Sequence, residues 1–337
     1  MTSVLIVGGG PVGLAAAIDA RLVGLDATVI EQRAASIDKA CGEGLMPGAI
    51  PLLDRLGVSV SGHPLRGVSY RDGRRQADHL FESGVGLGVR RTALHTALRE
   101  RALEVGARIV QAKVTHLTQG DGFVEAAGIR ADWMLGCDGL HSTVARLAGL
   151  ARPAPTVRRR YGVRRHFRVE PWTELIEVHW NRLGELYATP VGDGIVGVAL
   201  LARPNTDFDE ALAASQELAT RIGIAAPASE MRGAGPFRQS TSARRAGRVL
   251  LVGDASGYVD AITGEGLRLG FEQSRAAVNS IVGDTDYERD WRRITRDFRI
   301  LTSGLAFVAS TPMRWAVVPL AAALPRVYRS AVESLAR

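Results

Sequence analysis

Three glycines near the start of the sequence are spaced as in a loop that binds a dinucleotide. Gly8, Gly10 and Gly13 fit the pattern G-x-G-x-x-G, and Pro11 and Val12 fill its last variable positions. The first glycine allows a tight turn, the second lets the backbone approach a pyrophosphate, and the third lets a helix pack on a strand. The helix that follows offers amide donors and the positive end of its dipole. An apolar strand precedes the pattern and an apolar helix follows it, so we predict a pyrophosphate-binding turn.

An acidic residue stands where such a site needs a ribose ligand. Glu31 ends the next predicted strand, about 20 residues after the glycines, and its carboxylate can accept hydrogen bonds from both ribose hydroxyls. Gln32 and Arg33 follow it directly, so we place them at the same cofactor edge.

A second glycine pattern, residues 192–197, is interpreted differently. It lies between two predicted strands, and no helix follows it. Asp193-Gly194 is a hairpin turn signal. We therefore predict a hairpin there and no second dinucleotide domain.

Two later motifs indicate FAD rather than NAD. Asp138 begins the pattern D-G-x-x-S-x-x-R, and Gly253-Asp254-Ala255 follows a predicted buried strand. With the first glycine motif, these segments make the chain resemble the group A flavoprotein monooxygenases, which have the para-hydroxybenzoate hydroxylase fold. It is also similar to the related geranylgeranyl reductases and flavin halogenases. The resemblance runs from Met1 to about Asn279.

The resemblance implies roles for residues after the second aspartate motif. Asp254 would hydrogen-bond the ribityl chain of a non-covalently bound FAD. The loop 260–267 would run past the isoalloxazine ring, where Gly264 and Gly266 permit close approach because glycine has no side chain. Glu265 and Leu267 belong to the same predicted contact, and a helix starting near Gly266 would direct its dipole at the pyrimidine end of the ring.

Other positions of the family pattern are less specific. The resemblance gives Asp138 a mainly structural role, with direct cofactor contact left open. It places Arg91 near the pyrophosphate, although Arg90 competes for that role. The predicted strand 113–117 should pass the adenine, with Val114 making main-chain contacts.

A cysteine-containing segment resembles the reductase branch in particular. Cys41-Gly42-Glu43-Gly44 matches the C-G-E segment of geranylgeranyl reductases, which lies near the flavin. Glu43 could bond the ribityl chain or organise arginines, and Cys41 is either a small packed residue or a catalytic thiol. The halogenase branch requires a lysine between flavin and substrate, and neither Lys39 nor Lys113 is expected there.

The order of predicted elements defines the fold. The first 150 residues alternate strands and helices, whereas runs of strands without intervening helices follow Pro153, and a buried strand at 248–252 should return to the first sheet. We predict an α/β fold with a discontinuous Rossmann-type FAD-binding domain, an inserted mainly antiparallel β-sheet substrate domain, and C-terminal helices. The predicted boundaries are 1–66, 88–152 and 247–285 for the FAD domain, 67–87 and 153–246 for the substrate domain, and 286–337 for the C-terminal helices.

The inserted sheet should cover the flavin, and its side chains alternate between two faces. Glu177 and His179 share one face of their predicted strand, and Tyr187 lies on the next strand. The sequence does not choose the face that meets the flavin, so His179 and Tyr187 are both candidates for orienting a substrate. The neighbouring arginines are predicted to form a solvated strand face: Arg158, Arg159, Arg160, Arg164, Arg165 and Arg168.

Composition excludes several classes of protein. The net charge of +7 comes from arginines scattered along the chain, without the aromatic interleaving of a nucleic-acid surface. Two cysteines form no disulfide framework and fit a cytoplasmic location. The apolar stretch 305–324 is interrupted by two prolines and an arginine, so we expect no integral membrane segment. We also expect no metal site, and a monomer or homodimer.

These features predict an FAD-dependent monooxygenase that uses NAD(P)H and O2 on a small hydrophobic substrate, in secondary metabolism. The alternative is a reductase of isoprenoid double bonds. A second alternative is a flavin-binding protein without enzymatic activity.

Overall fold

Two large sheets organise the protein. The structure, a computed structural model, describes residues 1–34, 37–153, 159–283 and 285–337. One sheet is almost entirely parallel and has six strands, and the other is mainly antiparallel and has seven. The predicted α/β fold class is confirmed, whereas the exact domain boundaries remain a prediction.

The four central strands of the six-stranded sheet are short, mostly apolar runs that are largely buried, as is typical of parallel strands covered on both faces. Strand β1 (Ser3–Val7) lies near its middle and pairs in parallel with β2 (Asp26–Glu31) and β12 (Trp133–Gly136). The strand predicted to return late in the chain is β21 (Val249–Leu251), which pairs in parallel with β12. In spatial order the strands are β20 (Arg245–Ala246), β21 (Val249–Leu251), β12 (Trp133–Gly136), β1 (Ser3–Val7), β2 (Asp26–Glu31) and β8 (Arg108–Gln111).

Helices cover this sheet. The alanine-rich α1 (Pro11–Leu22) is buried over most of its length, because α3 (Arg91–Glu104) and α7 (Gly266–Val282) pack against it. The long α8 (Tyr287–Ala309) packs on α7 in turn. The remaining helices are α2 (Ile50–Leu56), α4 (Thr143–Leu147), α5 (Phe208–Ala213), α6 (Gln216–Ile222), α9 (Val317–Ala323) and α10 (Pro325–Ala336).

The seven-stranded sheet has two different faces. Leu186, Val198 and Leu200 pack towards α5 and α6, whereas Val178 and Tyr187 face the C-terminal helices. In spatial order its strands are β18 (Arg232–Ala234), β14 (Tyr161–Arg168), β17 (Ile195–Ala202), β16 (Gly184–Gly192), β15 (Leu175–Trp180), β5 (Gly67–Arg71) and β6 (Gln76–Leu80).

Three smaller sheets complete the fold. They comprise β3 (Gly44–Leu45), β7 (Gly86–Gly88) and β4 (His63–Leu65); β11 (Ile129–Ala131), β10 (Phe123–Ala126) and β9 (Thr118–Gly120); and β13 (Ala151–Arg152) with β19 (Ser240–Thr241). Short 3-10 helices occupy Pro47–Ala49, Gly253–Ser256 and Pro312–Ala316.

Two sequence-based expectations are wrong in detail. The segment 113–117 is not a strand, because β8 ends at Gln111 and the chain continues without regular pairing to β9. The arginine face is not uniformly solvated, since Arg160 and Arg164 are buried, and Arg158 lies outside the described residues.

Among the described residues no single helix is long and apolar enough to cross a membrane. One pair passes by length and composition when taken together, α8 with Pro312–Ala323, but the two parts meet at 102°.

Candidate functional site: a dinucleotide groove beneath an apolar sheet

The glycine turn joins β1 to α1 and leaves open space where a ligand would lie. Gly8 has φ +105° and donates its N–H to the Ile30 carbonyl at 2.8 Å. A Cβ on Gly13 would lie 1.9 Å from the Gly8 carbonyl oxygen, whereas a Cβ on Gly10 would meet nothing within 4 Å. The turn therefore needs Gly13 for its own packing, while Gly10 keeps the outer surface free for a phosphate.

Glu31 reaches from the end of β2 to this turn. Its Oε2 accepts the Gly9 N–H at 2.8 Å, and its Oε1 accepts the Arg33 N–H at 2.9 Å. Gln32 and Arg33 themselves are exposed beside it. The carboxylate is thus fixed at the edge of the turn, with lone pairs left for ribose hydroxyls.

His95 supports the turn from below, a role that sequence reasoning missed. It is buried on α3, and its Nε2 lies 2.9 Å from the Gly9 carbonyl oxygen. Burial lowers the pKa of His95, so the neutral ring donates this hydrogen bond. The available signal was a histidine between Leu94 and Leu98 on the apolar face of a predicted helix.

Asp254 and Arg91 interact electrostatically at the groove. Burial raises the pKa of Asp254 to about 6, and the positive charges of Arg91 and Lys39 oppose this rise. Lys39 was not expected to lie between flavin and substrate, and it is close enough to Asp254 to affect the pKa of that residue. Desolvation within the groove lowers its pKa, and it interacts electrostatically with both Glu31 and Asp254.

The loop after Asp254 has the open surface that a flat ring needs. Gly264 has φ +71°, and a Cβ there would meet nothing within 4 Å. Glu265 precedes the first residue of α7, is buried and contacts Arg268, so its side chain is held by the protein. Gly266 begins α7 as predicted, and Leu267 follows it half-buried.

Glu43 is the centre of a buried polar cluster. Its Oε1 accepts the Arg91 N–H at 2.9 Å, and its Oε2 contacts His166 Nε2. His166 Nδ1 lies 2.8 Å from both Ser229 Oγ and Arg164 Nη1. The side chain of Glu43 is thus held by protein groups, with Arg90 Nε 3.9 Å from Oε1, and the two roles considered for it, bonding the ribityl chain or organising arginines, both stay predictions.

The neighbouring cysteine lies on the open side of the segment. Cys41 is half-buried, and its Sγ accepts the Glu43 N–H at 3.4 Å. Gly42 has open space where a Cβ would project, and Gly44 begins β3.

Tyr258 is another residue that sequence reasoning missed. Burial raises the pKa of its hydroxyl well above the ordinary value, and the nearby Asp254, Asp260 and Cys41 add to the rise.

Asp138 and Val114 serve the framework. The Asp138 carboxylate accepts hydrogen bonds from Ser142 Oγ at 2.5 Å, Thr143 N at 2.6 Å and Val144 N at 3.0 Å, which caps α4. Val114 is buried against the six-stranded sheet, although its segment is not a strand.

The sheet face that meets the loop after Asp254 is the one carrying Tyr187. The Tyr187 hydroxyl donates to the Ile262 carbonyl at 2.8 Å. His179 instead lies on the opposite face, where its Nε2 is 3.0 Å from Glu177 Oε2 and Arg221 lies close by. Of the two substrate-orienting candidates, only Tyr187 faces the groove.

A buried ionic cluster closes the groove above this loop. Arg160 contacts Glu185 and lies 3.3 Å from Asp260, while Arg314 Nη2 lies 2.7 Å from the other Glu185 oxygen. Asp260 also accepts the Ile262 N–H at 3.0 Å. Burial raises the pKa of Glu185 to about 7, against the attraction of the two arginines. The cluster joins the sheet, the loop and the C-terminal segment.

Three residues of types that can bind a metal ion lie close together outside the groove. His79, Glu82 and Glu333 come together at the edge of β6 and α10. His79 pairs with Glu333 at 2.7 Å, and Glu82 pairs with Arg329 at 2.6 Å, so protein contacts already occupy these groups.

The parallel sheet, the glycine turn and the second aspartate loop together define a dinucleotide-binding flavoprotein. Residues 1–281 match the model of the FAD binding domain family, and the chain belongs to this family. It is an FAD-dependent oxidoreductase.

The chain is similar to individual proteins over most of its length. The chain is 29% identical to a menaquinone reductase of Mycolicibacterium smegmatis, over 87% of this chain and 80% of that protein. It is 27% identical to a rifampicin monooxygenase of Streptomyces venezuelae, over 81% of this chain but only 62% of that longer protein. Among solved structures, the flavin-dependent halogenase CmlS superposes with a TM-score of 0.80 at 18% identity, over 99% of this chain and 72% of that one, a likeness of fold.

Proposed function

We propose that this protein is a monooxygenase that uses NAD(P)H and O2 to hydroxylate or epoxidise an apolar aromatic, polyketide or isoprenoid substrate. The observation that carries the proposal is the composition of the sheet face above the loop after Asp254. Tyr70, Val178 and Trp180 line that face together with Tyr187, and Ile262 of the loop packs against it. Such a surface excludes water and suits an apolar substrate.

The groove residues fit FAD. Gly10, Gly42 and Gly264 leave open surface along the groove, Glu31 stands at its adenosine end, and Asp254 stands at its ribityl end. Bound FAD would supply the two-electron redox chemistry and the reaction with oxygen. The chain's own part is to hold the cofactor, orient the substrate and keep water away.

The reductant is proposed to be NAD(P)H arriving from solution. The second glycine pattern forms the turn between β16 and β17, with Asp193 and Gly194 at positive φ, which supports its assignment as a hairpin. Within the described ranges the dinucleotide fold therefore occurs once.

Reduction of isoprenoid double bonds is a second candidate. Cys41 favours it, because this half-buried thiol lies near Tyr258 at the groove and could deliver a proton. The menaquinone reductase relative adds to this candidate. The reductase requires a proton donor, whereas oxygen transfer depends more on the exclusion of water.

The test is turnover under labelled dioxygen, with mass analysis of the product. Gain of one labelled oxygen atom supports the monooxygenase. Anaerobic turnover that gives a product two hydrogens heavier would assign the protein to the reductases. The purified protein is expected to be yellow and to release intact FAD on denaturation, and a colourless protein that cannot be reconstituted with FAD would refute both candidates.

A further inference from the structure

The C-terminal helices have one face packed on the protein and one large apolar face in solvent. Val318 is buried against the seven-stranded sheet, together with half-buried Val317 and Ala321. On the outside, the exposed fractions are 56% for Met313, 74% for Trp315, 54% for Leu320 and 49% for Leu324. We call these four outward residues the apolar tip.

The sequence around the apolar tip is unusual in charge as well as in hydropathy. Residues 315–325 contain no charged residue, and residues 298–332 contain four arginines and no aspartate or glutamate. A folded domain seldom exposes several large apolar side chains within so short a segment unless they bind something.

Arginines lie on both sides of the apolar tip. Arg203 Nη2 donates to the Ser310 carbonyl at 3.2 Å. This guanidinium therefore lies at the C-terminal end of α8, beside the start of the apolar tip. Arg326 is exposed directly after Pro325 at the other end. Arg314 is different, since it is turned inward to Glu185 at 2.7 Å and holds the tip to the sheet.

The combination of an apolar surface, an exposed tryptophan and a rim of arginines matches the interface of an anionic bilayer. Tryptophan prefers the boundary between headgroups and acyl chains, because its ring is apolar and its N–H is polar. Arginines beside an inserted apolar face gain free energy from anionic lipids. A second copy of this chain would instead bring the arginine rims of two tips together, which charge repulsion opposes.

We propose that the apolar tip docks peripherally on membranes that contain anionic phospholipids. Trp315 and Leu320 enter the headgroup boundary, and Arg203 and Arg326 contact lipid phosphates. This docking does not depend on which reaction the flavin site performs.

The test is flotation of the FAD-loaded protein with vesicles of phosphatidylcholine and phosphatidylglycerol at about 3:1, compared with phosphatidylcholine alone. We expect binding to the anionic vesicles, weaker binding to neutral ones, and release when salt is raised, because salt screens the arginines. The double variant Trp315→Ser/Leu320→Ser should lower the partition coefficient about tenfold or more. Arg326→Gln should reduce the preference for anionic lipid.

The matched control is Ile224→Ser, which removes a fully exposed isoleucine elsewhere on the surface. It should leave binding unchanged, and all variants should keep FAD and the thermal midpoint of the native protein. Absence of flotation, or equal flotation of the tip variant and the native protein, would overturn the proposal. A dimer in light scattering that Trp315→Ser dissociates, without vesicle binding, would assign the tip to a second copy.

Discussion

Arg160 lies 3.3 Å from Asp260 and so connects the seven-stranded sheet to the loop that follows the second aspartate motif. Its other guanidinium nitrogen contacts Glu185, which is fully buried. Asp260 in turn accepts the backbone N–H of Ile262, whose carbonyl oxygen accepts from Tyr187. The loop that should face the flavin is therefore held from the substrate side as well as from α7.

Replacement of Arg160 should destabilise the protein strongly. Arg160→Met leaves two buried carboxylates without their shared partner, and removal of one member of a buried ion pair costs about 3–5 kcal/mol. Urea unfolding should detect this loss, and adding Glu185→Gln should recover part of it. The control is Arg165→Met in β14. Its partner Asp209 is largely exposed, so the loss in the free energy of unfolding should stay below about 1 kcal/mol. Equal effects of the two substitutions would contradict the role of the cluster.

Gly10→Ala should separate cofactor binding from folding. The added methyl group meets no protein atom within 4 Å, but it projects into the space expected for the pyrophosphate. We expect a native thermal midpoint and a loss of FAD affinity of about tenfold or more, measured by quenching of flavin fluorescence. Gly304→Ala adds the same methyl group in open space on α8 and should leave FAD binding unchanged.

Glu31→Ala should weaken FAD binding, because it removes the predicted acceptor of the ribose hydroxyl bonds. Hydrogen bonds to a charged group contribute about 1.5–3 kcal/mol, which corresponds to roughly a tenfold or larger change in the dissociation constant. Glu104→Ala, at an exposed position of α3, is the control. An unchanged dissociation constant for Glu31→Ala would show that another group holds the ribose.

The stability of the cofactor-free protein should depend on the ionisation of Asp254. Burial raises its pKa from 3.8 to about 6, so between these values the folded protein holds a proton that the unfolded chain has released. This group's contribution to the free energy of unfolding should therefore fall as the pH rises from about 4 to about 6 and stay constant above that. Asp254→Asn should remove this part of the pH dependence, as followed by urea unfolding at several pH values. If the variant kept the pH dependence of the native protein's free energy of unfolding, Asp254 would not be its source.

Cys41→Ser distinguishes the two candidate reactions. A monooxygenase should keep most of its turnover, because the thiol does not take part in oxygen transfer, and this is the outcome we expect. A reductase that uses the thiol as a proton donor should lose several hundredfold in kcat. Absorbance spectra must show that FAD remains bound, since a loss of cofactor would imitate a loss of chemistry.

The parts of the site that depend on local sequence could be predicted, and the parts that depend on distant partners could not. The glycine turn and the start of α7 are determined by the residues at those positions, and both were predicted. His95 and His166 have partners 86 and 123 residues away, so their roles emerge only when the chain is folded.

Arg160 and Arg164 illustrate the same limit. Arginines beside a strand are usually solvated, and here they are buried because carboxylates from other segments meet them. Likewise, whether the His179 face or the Tyr187 face of the sheet meets the groove depends on where α6 and the loop after Asp254 pack. The alternation of side chains along a strand does not specify this packing.

The order of strands in the six-stranded sheet has a consequence for synthesis of the protein on the ribosome. β12 lies between β1 and β21, so this strand, complete by residue 136, has an unpaired edge until residues 249–251 have emerged. A nascent chain that stops within the inserted sheet would carry the glycine turn but lack Asp254. It would also expose the unpaired edge of β12, an apolar strand of the parallel sheet. The cofactor groove is therefore assembled late in translation, and pulse-labelled nascent chains should gain protease resistance only after β21 has left the exit tunnel.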